Sequence, residues 1–494
     1  MLAELVALPS ASSFDPAADR GNRAVVDRLA AWAADLGAAV RVQELEGPAP
    51  RANLVATFGA GTDGLVLAGH ADTVAADPAA WATDPLRLVE TDGRLYGLGA
   101  CDMKGFFVAA LHAAARFDPA RLRAPLHLVA TADEECAMEG IRALAASGPP
   151  RARWAVVGEP TGLTPVRAHK GVLMERLVLH GREAHSSDPA AGASAIEGMV
   201  RALAALLAWR DELQAAHRDA AFAVPTPTLH PGVLRGGDRP NRVCARCELQ
   251  FDLRSLPGMD PEELRVEICA RVARAVAGTG LRFELRSLYP GTPALATPPD
   301  AALVRAAEEI CGRPATTAAY GTEAPWFAAA GMETIVLGPG DIARAHRPDE
   351  FVTVDELDAA ADLYARLIGR ACGGTAEGGG RHAAAGGARS RRSSPPRGTD
   401  RRRRPASGPS RRRRAACRTA RTARCGRRGG RGRPDCTTTP ARGGSSPGRC
   451  GSRRSRPPRS RCRRNTCAVW RRRPGCGTGR PPVRRALAVR RHPC

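Results

Sequence analysis

The feature that most constrains this chain is a short apolar run that ends in polar side chains able to bind a metal ion. The run Leu65–Ala68 stops at Gly69 and is followed by His70 and, two residues later, Asp72. An unbroken run of apolar residues is typical of a strand buried on both faces of a parallel sheet. Because ligand crevices in open α/β sheets lie beyond the carboxyl ends of the strands, His70 and Asp72 are candidate site residues.

The same arrangement recurs along the chain. Acids or a histidine follow three further apolar runs, and an acid precedes an apolar helix: Asp133-Glu134-Glu135 after Leu126–Ala130, Glu159 after Trp154–Val157, His346 after Thr334–Leu337, and Asp102 before the helix that begins near Phe106. The recurrence predicts that one sheet edge gathers these side chains. For each acid taken alone the alternative is a helix cap or a surface loop, where most Asp and Glu residues lie.

Two histidines and three carboxylates form a suitable ligand set for a pair of divalent cations, and the imidazoles favour Zn²⁺. The set is His70, Asp102, Glu135, Glu159 and His346. Three carboxylates and a bridging hydroxide balance the four positive charges of two Zn²⁺ ions, which a partly buried site tolerates. The sequence therefore predicts a dinuclear metal centre.

These motifs make the chain similar to a known family. It resembles the dinuclear zinc aminoacylase and deacetylase metallopeptidases in five motifs that follow the family's order: His70-Ala-Asp72, Gly99-Ala-Cys-Asp102-Met-Lys-Gly105, Asp133-Glu134-Glu135, Gly158-Glu159-Pro-Thr161 and Ala345-His346-Arg-Pro-Asp-Glu-Phe351. A narrower likeness, to the members that act on N2-acetyl-L-ornithine, lies in four segments: Gly181–Pro189, Gly236–Cys244, Asp252–Gly258 and Tyr320–Pro325.

The resemblance implies a role for each metal ligand. Asp102 bridges two Zn²⁺ ions, with Co²⁺ as an alternative metal, while His70 and Glu159 hold one ion and Glu135 and His346 hold the other. Two metal ions about 3.5–4 Å apart share a water and lower its pKa towards neutrality.

The resemblance also implies three catalytic residues. Glu134 is adjacent to a ligand without being one, and as general base it takes the water's proton and passes it to the leaving amine. Asp72 accepts the second ring N–H of His70 and fixes its tautomer. His185, from a partner subunit, donates a hydrogen bond to the oxyanion, so a homodimer is expected.

Substrate contacts are implied at four residues. Arg254 clamps the α-carboxylate of the substrate, a task suited to a bidentate guanidinium. Asn241 and the backbone turn Gly321–Thr322 supply other contacts, and one hypothesis is that Glu323 attracts the cationic side chain of ornithine. Lys170 is predicted to be a solvated residue at a strand end, without a role.

The implied function is the hydrolysis of N2-acetyl-L-ornithine to L-ornithine and acetate, a step of arginine biosynthesis. Two alternatives within the family, a succinyl-diaminopimelate desuccinylase and a broad aminoacylase, share the metal site and differ in pockets that sequence spacing does not resolve. An alternative of another class is an arginine-rich nucleic-acid-binding protein built on an inactive scaffold.

The formal net charge of +24 is concentrated in one part of the chain. Residues 375–494 contain 37 arginines and three acidic residues, whereas residues 1–374 contain 37 basic and 47 acidic residues. The arginine-rich stretch has no apolar periodicity and is predicted to be disordered. Its interpretations are a nucleic-acid-binding arm, a zinc module without paired Cys-x2-Cys knuckles, and an out-of-frame translation of GC-rich sequence, which alone explains the excess of Arg, Gly, Pro and Cys together.

The alternation of strands and helices predicts an α/β fold with a mostly parallel sheet covered by helices on both faces. Between Leu173 and Leu288 the predicted order β-α-β-β-α-β indicates an inserted ferredoxin-like unit, which by resemblance is a lid and dimerisation domain. The predicted catalytic domain consists of residues 1–169 and 289–374. The predicted lid covers residues 170–288, and the predicted tail covers residues 375–494.

We expect neither a secretory signal nor a membrane-spanning segment. The seven cysteines of residues 1–374 show no disulfide framework, and Cys244 and Cys247 are predicted to be buried strand thiols rather than half a zinc knuckle. The expected protein is therefore cytoplasmic, has no membrane partner and acts on a small N-acyl amino acid.

Overall fold

The structure is a computed structural model, and it describes residues 1–373. The predictions made for residues 375–494 fall outside the described residues. Within residues 1–373 the α-helices are α1 Leu2–Val6, α2 Arg23–Asp35, α3 Gly105–Ala114, α4 Glu139–Ser147, α5 Ala195–Ala216, α6 Pro261–Ala275, α7 Ala302–Cys311, α8 Ala324–Ala329 and α9 Val354–Cys372. The strands are β1 Ala39–Leu45, β2 Arg51–Phe58, β3 Gly64–His70, β4 Val89–Thr91, β5 Arg94–Tyr96, β6 Leu126–Thr131, β7 Ala152–Pro160, β8 Val166–His169, β9 Gly171–His180, β10 Thr228–Gly236, β11 Arg246–Ser255, β12 Arg282–Thr292, β13 Leu295–Ala296, β14 Thr316–Ala318, β15 Glu333–Gly338 and β16 Phe351–Thr353.

A nine-stranded sheet forms the centre of the fold, in the order β1-β2-β6-β3-β7-β15-β8-β13, with β14 beside β8. Its four middle strands, β6, β3, β7 and β15, run parallel to one another. The flanking strands β1, β2, β8 and β13 run antiparallel to their neighbours in that order, and β14 runs parallel to β8. The prediction of a mostly parallel sheet is confirmed for the centre, while the antiparallel flanks were not foreseen.

Helices cover both faces of this sheet, and the middle strands are therefore buried at almost every position. Leu65 and Leu67 of β3 share a core with α2, α3, α7 and α9, whereas Val66 and Ala68 share a core with α4 and α8. All four side chains are at most 1% exposed. Burying a leucine contributes about 1.5–3 kcal/mol to stability, so this apolar run determines the central place of β3.

Side-chain caps determine where several helices begin. The hydroxyl of Thr353 accepts the N–H of Glu356 and the carboxylate of Glu356 accepts the N–H of Thr353, which starts α9 with a capping box. The side chain of Ser194 caps α5 and that of Asp260 caps α6 by accepting main-chain N–H groups of the first turn, without a reciprocal bond. Each cap is worth about 1 kcal/mol. No helix within residues 1–373 is both long and apolar enough to cross a bilayer.

A second sheet lies in the chain between β8 and β13. Its strands are antiparallel throughout, in the order β10-β11-β9-β12. Helices α5 and α6 pack on it through a core that includes Leu177, Leu206 and Ile268. The order of elements over residues 171–292 is β-α-β-β-α-β. Cys244 and Cys247 are buried in this core, and no disulfide joins the cysteines of the described residues.

Candidate metal centre

The carboxyl ends of the parallel strands bring the five candidate ligands to one edge of the central sheet. His70 is the last residue of β3, Glu159 is the penultimate residue of β7, and Glu135 comes shortly after β6. His346 lies in the loop after β15, and Asp102 lies in an irregular turn that leads into α3. Residues far apart in the sequence therefore share one crevice, as expected for an open α/β sheet.

Asp102 lies between the two histidines. Its Oδ1 is 3.0 Å from Nε2 of His70, and its Oδ2 is 3.4 Å from Nε2 of His346. The other carboxylates divide between the imidazoles, because Glu159 Oε1 is 4.0 Å from His70 Nε2 and Glu135 Oε1 is 3.0 Å from His346 Nε2. Donor atoms of His70, Asp102 and Glu135 all lie within 4.8 Å of one another. This donor set fits two cations that share Asp102.

Burial and mutual charge set the proton affinity of the cluster. Burial acts to raise the pKa of Asp102, but hydrogen bonds from His346 and His70 outweigh it and lower that pKa well below its usual range. Hydrogen bonds to Asp102 and Glu135 raise the pKa of His346 to about 10. Burial and the nearby charge of Asp102 raise the pKa of Glu159 well above its usual value. Because a cation would compete with protons for such donors, metal binding at this cluster would release protons.

The structure corrects one detail of the predicted role of Asp72. The Nδ1 of His70 is 3.0 Å from the main-chain oxygen of Asp72 and 3.8 Å from its carboxylate, so the carbonyl accepts the second ring N–H. The Asp72 carboxylate instead accepts the N–H groups of Glu134 and Glu135, each at 3.2 Å. The reason is that these two main-chain donors at the turn after β6 face a buried anion, which binds them strongly. Asp72 thus holds both the His70 ring and the loop that carries Glu135.

Glu134 and Glu135 lie on the wall of a cleft of about 270 Å³ that residues of the second sheet also line. Arg254 and Gly321 are on the same wall. The Nε of Arg254 donates to both carboxylate oxygens of Asp252, at 2.9 and 3.1 Å, which orients the guanidinium. Burial raises the pKa of Glu134 well above its usual value, a shift that makes a carboxylate a better proton acceptor near neutral pH.

Two residues near this cleft, Glu323 and Lys170, lie differently from their predicted positions, whereas Thr322 was predicted only as part of a backbone turn. The Thr322 side chain is buried behind the turn, where its hydroxyl bonds Nε2 of His169 at 3.0 Å. Glu323 is also buried and accepts the hydroxyl of Thr131 at 2.7 Å, so its carboxylate does not line the cleft and the hypothesis that it attracts the ornithine side chain loses its basis. The prediction that Lys170 is solvated is wrong, because its ammonium is buried and donates to a main-chain carbonyl at 2.6 Å.

His185 and Asn241 lie together on loops next to the second sheet rather than at the cluster. The N–H of Ser186 donates to the main-chain oxygen of Asn241 at 3.1 Å, and Nδ1 of His185 bonds the hydroxyl of Ser187 at 2.7 Å. Both His185 and Asn241 are exposed, and neither lines the cleft beside Glu134. Within one copy of the chain the structure therefore does not bring these two residues to the metal ligands.

Two buried ionisable residues near Asp102 were not foreseen from the sequence. Lys104 is fully buried, and its ammonium donates to the main-chain oxygens of Leu5 at 2.9 Å and Leu8 at 3.0 Å. Glu350 is buried beside the turn that contains Asp102 and accepts main-chain N–H groups of that turn. Lys104 lies in the motif Gly99–Gly105 and Glu350 in the motif Ala345–Phe351. A motif does not show which distant atoms its side chains contact.

A sheet that gathers two imidazoles and three carboxylates at the ends of its parallel strands defines a metal-dependent hydrolase. The model of peptidase family M20/M25/M40 matches residues 66–370. The chain belongs to this family, and it is accordingly a hydrolase that acts on an amide bond.

Relatives and solved structures agree with this assignment. The chain is 43% identical over 374 residues to the acetylornithine deacetylase of Pasteurella multocida, covering 76% of this chain and 98% of that protein. It is 41% identical over 369 residues to the acetylornithine deacetylase of Proteus mirabilis, covering 75% and 95%. A metallo-carboxypeptidase of the M20 family from Sulfolobus solfataricus has the same fold, with a TM-score of 0.58, 17% identity, and coverage of 74% of this chain and 97% of that chain. So does a dinuclear metal-binding peptidase of the M20 family from Bacillus subtilis, with a TM-score of 0.51, 15% identity, and coverage of 74% and 95%.

Proposed function

We propose that this chain is a metal-dependent deacetylase that hydrolyses N2-acetyl-L-ornithine to L-ornithine and acetate. The observation that carries the proposal is the position of Asp102 between His70 and His346, with one further carboxylate beside each imidazole. The relatives at 41% and 43% identity that are named acetylornithine deacetylases support the choice of substrate. We assign the metal as two Zn²⁺ ions, with Co²⁺ as the alternative.

The proposed ligands form two sets around a shared carboxylate. His70 and Glu159 hold one cation, His346 and Glu135 hold the other, and Asp102 belongs to both sets. Two divalent cations held there would supply a Lewis acid for the amide carbonyl and a water whose pKa lies near neutrality.

Glu134 is the proposed general base. It lies on the cleft wall beside Glu135, and its main chain is held by the carboxylate of Asp72 at 3.2 Å. Burial, which raises the pKa of Glu134, lets it take the proton of the attacking water. The same carboxyl group then gives this proton to the nitrogen of the leaving amine as the C–N bond breaks.

Arg254 is the proposed anchor for the α-carboxylate of the substrate. Because Asp252 already orients its guanidinium, the side chain loses little freedom when a carboxylate binds. Among the described residues that line this cleft, Arg254 is the only cation. N2-acetyl-L-ornithine brings one carboxylate to the cleft and N-succinyl-diaminopimelate brings more, so the single cation of the lining favours acetylornithine.

The second sheet is proposed to belong to a lid and dimerisation domain over residues 170–288, inserted between catalytic pieces at 1–169 and 289–374. His185 and Asn241 are exposed on its loops. In a homodimer they are proposed to enter the cleft of the other copy, where His185 donates a hydrogen bond to the oxyanion and Asn241 contacts the substrate. The cytoplasm is the proposed compartment, in keeping with cysteines that form no disulfide within the described residues.

A panel of acyl substrates tests the proposed specificity. The protein, loaded with Zn²⁺ or Co²⁺, receives N2-acetyl-L-ornithine, N-succinyl-diaminopimelate or one of several N-acetyl amino acids, and the released amine is measured. We expect the highest kcat/KM for acetylornithine. A preference for the succinyl substrate would contradict the proposal, and similar rates on all acetyl substrates would favour a broad aminoacylase.

A matched pair of variants tests the general base. Glu134→Gln is expected to bind the same amount of metal as the wild type and to lose about 10²–10⁴-fold in kcat, because the amide cannot accept a proton. Glu263→Gln, exposed on α6, serves as the control. Wild-type turnover by Glu134→Gln would remove Glu134 from this role.

The alternative of another class places the function in residues 375–494, whose 37 arginines would bind phosphate groups. It predicts salt-dependent binding of nucleic acid that is lost when these residues are deleted. The deacetylase proposal predicts equal kcat/KM for the full chain and for residues 1–374. A truncated protein without deacetylase activity would show that the stretch matters for catalysis.

A further inference from the structure

Glu350 connects two loops that carry different candidate ligands. It comes four residues after His346, and it is 2% exposed. Its main-chain oxygen accepts the N–H of Gly97 at 3.0 Å, and the next residue begins β16, which pairs with β5. This pairing brings the Glu350 side chain to the irregular turn that presents Asp102.

The Glu350 carboxylate accepts three main-chain N–H groups of that turn. Its Oε1 accepts from Cys101 and Asp102 at 2.8 Å each, and its Oε2 accepts from Gly99 at 3.1 Å. Gly99 has a φ of 75°, a conformation that residues with a side chain rarely adopt. This conformation directs the three N–H donors to one side of the turn. A buried carboxyl group that accepts several main-chain N–H groups holds them firmly, so Glu350 fixes the backbone of the turn.

We propose that Glu350 is a positioning residue that sets the separation of Asp102 and His346 and thereby lets the site hold two cations at once. The inference rests on the proposed dinuclear function. Glu350 acts through the backbone, since its carboxylate is occupied by three N–H groups and one of these belongs to Asp102 itself. Because Oδ2 of Asp102 is 3.4 Å from Nε2 of His346, a shift of about 1 Å between the loops would spoil shared coordination.

Glu175 provides a matched control for a merely structural role. It is 1% exposed, and its carboxylate accepts Nε of Arg265 at 2.7 Å and the hydroxyl of Ser287 at 3.0 Å. It lies on β9 in the second sheet, away from the candidate ligands. Replacing either Glu350 or Glu175 with Gln turns a buried, hydrogen-bonded carboxyl group into an amide, but only Glu350 bonds the turn that presents Asp102.

The test compares metal binding by the full chain in three forms: wild type, Glu350→Gln and Glu175→Gln. The amide of Glu350→Gln keeps one oxygen, which can still accept two of the three N–H groups. Its NH2 group replaces the second oxygen and cannot accept the third N–H. Metal-free protein is titrated with Co²⁺, and the number and affinity of bound ions are read from visible absorption and equilibrium dialysis. We expect wild type and Glu175→Gln to bind two ions. Glu350→Gln should bind the first ion normally and the second about 10–100-fold more weakly.

Kinetics supply a second readout. At a Co²⁺ concentration that saturates the wild type, Glu350→Gln should show a lower kcat with an unchanged KM, and more Co²⁺ should restore kcat. Two ions bound at wild-type affinity by Glu350→Gln would overturn this proposal alone. A single ion bound by the wild type would overturn this proposal together with the dinuclear function.

Folding is checked by circular dichroism of the metal-free proteins. If Glu350→Gln fails to fold, Glu350→Asp, which keeps the negative charge, takes its place in the titration and must show the weakened second ion. If neither variant folds, Glu350 serves the fold as a whole, and the proposal is overturned.

Discussion

His169 allows a quantitative test of how the turn behind the substrate cleft is held. Its Nδ1–H donates to the main-chain oxygen of Lys170 at 2.9 Å, and its Nε2 accepts the hydroxyl of Thr322 at 3.0 Å. The same hydroxyl oxygen accepts the N–H of Ala324 at 3.1 Å, and a neutral imidazole completes this chain of bonds. His169 is 0% exposed, and burial lowers its pKa from 6.5 to about 4.

The depressed pKa makes stability depend on pH with a defined sign. Below pH 6.5 the unfolded chain binds a proton that the folded chain excludes at His169, so the free energy of unfolding falls as the pH falls. The loss is about 1.4 kcal/mol per pH unit between the unfolded pKa and the folded pKa. From pH 6.5 to pH 5 it amounts to about 2 kcal/mol, and well above pH 6.5 it vanishes.

Urea unfolding of wild type and His169→Gln at pH 7.5 and pH 5 measures this contribution. Gln keeps one donor and one acceptor but does not titrate. Other groups contribute nearly equally to both proteins, so the difference between the two pH-dependent losses isolates His169. We expect the loss on going to pH 5 to be about 2 kcal/mol smaller in the variant. Equal losses in the two proteins would refute the reasoning, whatever the absolute stability of the variant.

Three further outcomes test the site and the core. Asp72→Asn is expected to weaken metal binding by about 10–100-fold in a Co²⁺ titration, because the amide replaces a carboxylate that accepts the N–H groups of Glu134 and Glu135. Unchanged Co²⁺ affinity would count against a positioning role of Asp72. Arg254→Lys should raise KM more than it lowers kcat and cost about 10-fold or more in kcat/KM, whereas a wild-type KM in steady-state kinetics would remove the proposed clamp. Gly158→Ala places a Cβ 2.0 Å from the ring of Phe106 and should cost about 1–3 kcal/mol in urea unfolding, while Gly232→Ala, whose Cβ meets nothing closer than 3.9 Å, should cost less.

The centre of the fold was predictable because its signal is local. A strand buried on both faces must be apolar at successive positions, so Leu65–Ala68 indicated β3 before any contact was known, and the structure extends the strand to Gly64–His70. Residues just past such strands lie at one edge by topology alone. For this reason the neighbourhood of His70, Glu135 and Glu159 followed from the sequence without knowledge of any side-chain contact.

The missed features depend on partners that are remote in the sequence. The carboxylate of Glu350 bonds the N–H of a residue 248 positions away, which no local pattern encodes. Lys170 and Glu323 were assigned by residue type to solvent and to the cleft, but inside the protein Lys170 donates to the main-chain oxygen of Thr226 and Glu323 accepts the hydroxyl of Thr131. The choice between the two acceptors of Asp72 likewise rests on a difference between distances of 3.0 and 3.8 Å, which sequence spacing does not resolve.

Lys104 and Lys170 are the only lysines among the 74 lysine and arginine residues of the chain, and each is at most 1% exposed. A reagent that acylates primary amines therefore meets no accessible lysine on the native fold. Each lysine label found by mass spectrometry would record an opening event, at the segment that Lys104 ties through Leu5 and Leu8 or at the loop that Lys170 ties through Thr226. The protein thus carries two built-in reporters of partial unfolding, which peptide mapping would tell apart without any added probe.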